Sequence, residues 1–172
     1  MPVYRVLVFR LSVGPVQAQA LVIKNSKLFV MKTINILTHP VLVLSLFCLT
    51  LISGESFGGF YLIYILMALP HGGVHAVFAL IGTGLILFSY GRYKRQSKYF
   101  IDPLLNILGV FSLYASLFIF FINSWSYNDQ TFEQTVPVIS FVLFGVTSLG
   151  FLIYSVMRFA RPKSDKPMSL LT

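Results

Sequence analysis

The sequence predicts an all-α fold: a polytopic transmembrane helical bundle with four crossings and both termini on the cytoplasmic side. Three observations predict it. The chain is 56% hydrophobic and only 10% charged, with a mean hydropathy of +0.82, against about 25% charged residues in a soluble domain. Its 13 lysines and arginines fall into three clusters, Arg5 to Lys32, Arg92 to Lys98 and Arg158 to Lys166. The stretches between clusters are apolar, and each is long enough for two crossings at about 20 residues apiece.

A charge at the centre of a bilayer costs about 3 kcal/mol or more. Within the four spans assigned below there is no Asp, Glu or Lys, and Arg158 stands only at the end of the fourth. The three clusters hold five, four and four basic residues, and the segments assigned to the outer face hold none. Every loop therefore agrees with N-in, C-in under the positive-inside rule. In a soluble protein a net charge of +8 would point to nucleic acid. Here the charges flank apolar runs and form no continuous stripe, so membrane lipids are the expected partner and nucleic acid is not.

Residues 1–33 read as a cytoplasmic N-terminal extension. Met31, Lys32 and Thr33 lead into the first span as a translation start would, so residues 1–30 are expected to be a start-site artefact, or else an extension lying on the membrane surface. The four-helix transmembrane domain covers 34–160. Its first span runs from about Ile34 to Ile52, with Pro40 suited to a first helical turn. A signal peptide, with Lys32 ahead of Val41 to Ile52 and Ser53-Gly54, is the rival reading. It lacks a small residue three before a plausible cut, and cleavage would leave three crossings. Cys48 is the single cysteine, which precludes an intramolecular disulfide; it reads as a small apolar residue.

The second apolar segment, Phe57 to Tyr90, is too long for one simple crossing, and Pro70 with Gly72-Gly73 divides it. It is expected to be either kinked at Pro70–Gly73 or re-entrant, with Phe57, Phe60, Tyr61 and Tyr64 at the outer interface. Gly91 to Asp102 is a basic loop, in which Arg92, Lys94, Arg95 and Lys98 are candidates for lipid head-group contact. The third span runs from about Pro103 to Ile122. A polar outer loop, Asn123 to Thr135, precedes the fourth, Val136 to Phe159, with Pro137 in its first turn. The tail, 161–172, carries two prolines and no apolar periodicity and reads as disordered.

Candidate chemistry centres on His71 and His75. At 100° per residue, a continuous helix puts His71, Gly72, His75, Ala76, Ala79, Gly82 and Thr83 within about 140° of one another. Val74, Val77, Ile81, Leu85 and Phe88 lie opposite. Small residues let a neighbouring backbone approach, and ionisable residues inside a span invite a functional reading. An i, i+4 histidine pair can hold a transition metal, with Glu55 as a third ligand, or one histidine can ligate haem. Ser112, Ser116 and Asn123, with Gly109, form a polar stripe on span three. In span four, Ser140, Thr147, Ser148 and Ser155 cluster with Phe144 and Phe151. Such hydroxyls and amides join helices or line a small polar path.

No phosphate-binding loop, nucleophile elbow or HExxH motif is present. A carboxylate-coupled transporter is disfavoured for want of an intramembrane Asp or Glu. The expected function is that of an accessory or assembly subunit, packing against a larger membrane complex or another copy of itself. A metal- or haem-binding redox protein using His71 and His75 is the first alternative, and a small facilitator or channel the second. The expected place is the cell membrane, as a multi-pass protein, or the inner membrane if the cell is bacterial.

Overall fold

Proline and glycine punctuate the helices of this chain. The computed structural model describes Ser26, Thr33 and residues 36–53, 58–94 and 101–160, without the side chains of 93–94, 124–127 and 129. The chain divides into two compact units, Met1–Ile36 and Leu37–Thr172. In the first, the described residues Ser26, Thr33 and Ile36 are helical and exposed. The second contains every element that follows. The start-site reading of 1–30, Glu55, Arg95, Lys98 and the tail beyond residue 160 fall outside the described residues.

Helix α1, Pro40–Cys48, begins at its proline because the ring presets the helical φ and its missing N–H would be unbonded there anyway. The residue before a proline is held extended; His39 obeys, at φ −77° and ψ 130°, and its side chain accepts a hydrogen bond from the Val41 N–H. α1 spans nine residues, about 14 Å at 1.5 Å per residue, so it cannot cross a bilayer core by itself. The first apolar run then leaves the helix. Leu51–Ile52 form strand β1, antiparallel to β2, Gly59–Phe60, in the register Leu51 to Phe60 and Ile52 to Gly59. The Tyr61 N–H extends this ladder to the Thr50 carbonyl at 2.8 Å.

Helix α2, Tyr61–Ala68, passes into a 3₁₀ turn, Leu69–His71, that contains Pro70. Gly72 closes the turn at φ +67°, a left-handed backbone that costs an L side chain about 1–2 kcal/mol. The Gly72 and Gly73 N–H groups bond back to the Leu69 and Ala68 carbonyls. This satisfies acceptors that the end of a helix leaves open.

Three long helices follow: α3, Val74–Lys94, α4, Ile101–Asn128, and α5, Thr135–Ala160. A 3₁₀ turn, Asp129–Phe132, joins α4 to α5. The segments Val74–Arg92, Ile101–Asn123 and Thr135–Ala160 are each long and apolar enough to cross a membrane. α4 is the most enclosed of the three, and its pairing with α3 is the most extensive among the described elements. α1 packs on α5, α3 and α2. Val43, Phe47, Tyr61, Ile86, Leu113 and Phe144 form the centre of the core. Large apolar side chains cover the outside, among them Phe111 and Phe118 of α4 and Val142, Val146 and Leu149 of α5.

Candidate functional site

α3 and α4 meet backbone to backbone. A Cβ placed on Gly82 would lie 2.7 Å from the Gly109 carbonyl oxygen and 2.7 Å from Leu113 Cδ2. One placed on Gly109 would lie 2.7 Å from Ile86 Cγ1 and 3.1 Å from the Gly82 oxygen. Only glycine fits at either position. Ala76 and Ala79, both buried, continue the same close face of α3 toward its start.

The close approach positions a polar group of three elements. The Ser116 hydroxyl on α4 donates to the His75 carbonyl on α3 at 2.7 Å. It has one hydrogen, so the Tyr61 hydroxyl of α2, 2.8 Å away, is the donor to Ser116 Oγ. Tyr61 and Ser116 are fully buried. Phe120, one turn beyond Ser116, packs edge-on against Tyr61, Tyr64 and His75, with ring centroids 5.3, 5.1 and 5.3 Å away. His75 Nε2 is buried there without a hydrogen-bond partner.

Other polar side chains pair across the bundle. Asn106 Nδ2 on α4 donates to Ser155 Oγ on α5 at 2.8 Å. Ser148 Oγ donates to the Gly145 carbonyl, so the Tyr114 hydroxyl, 2.8 Å away, donates to Ser148. Ser140 Oγ donates to the Pro137 carbonyl and accepts from the Leu51 N–H at 3.0 Å. Thr131 Oγ1 accepts from the Ser53 N–H at 3.0 Å and donates to the Ser53 carbonyl at 2.7 Å. At the opposite end of the long helices, His39 Nδ1 accepts from Val41 and so carries no hydrogen. Its Nε2–H therefore donates to the Tyr90 hydroxyl at 3.2 Å.

His71 and His75 occupy different settings. His71 belongs to the 3₁₀ turn, is exposed, and donates through Nδ1 to the Met67 carbonyl at 2.9 Å. His75 lies in the first turn of α3, with its ring in the aromatic group. The chain between them passes through left-handed Gly72, so one uninterrupted helical face does not contain both. Among the described residues no three His, Cys, Asp or Glu side chains come together.

The remaining candidates separate by burial. Ser112 and Gly82 are buried, Thr83 is half-buried, and Gly72 and Asn123 are exposed. Arg92 pairs with Asp102, Nε to Oδ1 at 3.4 Å, and its guanidinium lies 5.7 Å from the centre of the Phe88 ring. It joins the end of α3 to the start of α4 as well as facing outward. Lys94 ends α3. Tyr61 differs from the expected interfacial position because its ring is enclosed by Phe47, Phe120 and His75. The readable signal was the hydroxyl: a tyrosine in an apolar run, once buried, needs a partner.

No family model matches this chain, and no curated protein or solved structure matches it.

Proposed function

We propose that this protein is a small accessory or assembly subunit of a membrane complex, or a self-associating membrane protein. It sits in the cell membrane with four crossings, both termini inside. α3, α4 and α5 supply three crossings and the first apolar run the fourth. The observation that carries this reading is where the polar groups go. Tyr61, Ser116, Asn106, Ser155, Tyr114, Ser148, Ser140 and Thr131 bond within the bundle, while the outward faces of α3, α4 and α5 carry large apolar side chains. Polar stripes spent on packing favour a structural role over a conducting path.

In this reading the protein extracted in mild detergent migrates as an assembly heavier than one 19.4 kDa chain with its detergent shell. A lone monomer across several mild detergents overturns it.

The unpartnered Nε2 of His75 favours a second reading, a ligand-holding site that takes a transition metal or haem iron at that nitrogen. His71 does not share its helical face, and Glu55 is the remaining carboxylate candidate for it. Purified protein would then show stoichiometric metal or a Soret band, both lost in His75→Ala. Protein free of metal and of visible absorption ends that reading.

A further inference from the structure

Residues 40–53 have one end at each extremity of the bundle. His39 bonds to Tyr90, near the end of α3 that Arg92 and Asp102 tie to the start of α4. Ser53 bonds to Thr131, in the turn beyond the opposite end of α4. The chain thus runs alongside α4 over most of the roughly 42 Å that its 28 residues rise, in about 14 residues, fewer than the 20 or so that a helical crossing takes. The lengths close only with two kinds of backbone. The nine residues of α1 and its cap Leu49 rise about 15 Å, and Thr50 to Ser53 add up to about 13 Å at 3.3 Å per residue. Together they match a hydrocarbon core of about 30 Å.

Extended backbone at membrane depth is tolerated only where protein satisfies its polar groups. Here the Thr50 carbonyl takes the Tyr61 N–H, and the Leu51 and Ser53 N–H groups go to the hydroxyls of Ser140 and Thr131. Both hydroxyls hold their acceptor geometry by donating elsewhere, to the Pro137 and Ser53 carbonyls.

We infer that the first apolar run crosses the membrane in two pieces, helix α1 through the inner half and an extended strap through the outer half, with Ser140 and Thr131 as the clasps that hold the strap. This rests on the four-crossing reading above. It adds a conformational device: release of the clasps frees the strap, still paired with β2, from α5 and the turn before it without unfolding the three long helices.

Single cysteines placed in a Cys48→Ala background, and labelled in intact cells with a membrane-impermeant maleimide, test it. Ser53→Cys is expected to label from outside. Thr38→Cys and Thr172→Cys are expected to label only after permeabilisation. If Thr38→Cys and Ser53→Cys label from the same side, the strap does not cross and the inference falls. Labelling of Thr172→Cys from outside instead overturns the C-terminal placement, and the strap stands if positions 38 and 53 still label from opposite sides. Adding Thr131→Val and Ser140→Ala removes three hydrogen bonds to the strap and is expected to speed labelling at position 53 by more than about fivefold, the factor for one ordinary hydrogen bond. Thr131→Ser, which keeps its hydroxyl, is expected to leave the rate unchanged. An unchanged rate in the Thr131→Val, Ser140→Ala protein, or equal acceleration by Thr131→Ser, overturns the clasps.

Discussion

Ser116 gives its only hydrogen to the His75 carbonyl and takes one from Tyr61, so the two side chains are not equivalent under mutation. In Tyr61→Phe the serine keeps its donor bond and loses one acceptor contact. The expected cost is near the average of about 0.6 kcal/mol for such bonds between membrane helices. In Ser116→Ala the Tyr61 hydroxyl stays buried without its partner, at about 1–3 kcal/mol. Denaturation in detergent should therefore rank Ser116→Ala as the worse variant. The double variant should be no worse than Ser116→Ala alone, because removing the stranded hydroxyl relieves its penalty. Additive losses would refute this donor order. Gly72→Ala tests backbone rather than contacts: nothing lies within 4 Å of its Cβ position, so a loss of about 1–2 kcal/mol would come from the left-handed φ alone.

Among the elements, the α3–α4 crossing depends on two hydrogens in place of methyl groups. Gly82→Ala pushes a methyl to 2.7 Å from the Gly109 oxygen and Leu113. Overpacking of this kind costs about 1–3 kcal/mol. Gly84, two residues on and on the opposite face of the helix, has nothing within 4 Å, so Gly84→Ala should be neutral or mildly stabilising in the same assay. Equal losses at both positions would refute close approach as the cause, because propensity alone favours alanine at each. The small residues of this face were legible from their spacing, and Gly109 stood on the stripe with Ser112 and Ser116. Their pairing was not, because a periodic pattern says which face is small and not which neighbour meets it. The broken first run was illegible for a related reason. Val41 to Ile52 is equally apolar as helix or strand, and partners outside the run, Phe60 nearby and Ser140 far along the chain, decide between them.

For the whole molecule, orientation in the membrane should follow the basic clusters. Replacing Arg92, Lys94, Arg95 and Lys98 with glutamine removes the middle cluster and the Arg92–Asp102 pair. A protein of mixed orientation is expected, read from a C-terminal reporter active on only one side. Uniform orientation would show that the terminal clusters suffice. The sequence by itself determined the class of solvent: apolar runs and charge placement follow from the free energy of moving each residue between water and lipid, a property of the residue alone. It also marked a helix start at Pro40 and a break at Pro70 and Gly72, because these residues act on the local backbone whatever surrounds them. Only the tertiary structure decided which hydroxyl meets which acceptor, that His71 and His75 have separate settings, and that Tyr61 is enclosed rather than interfacial. Those outcomes depend on helix register and approach distance, which arise from packing between segments far apart in the chain.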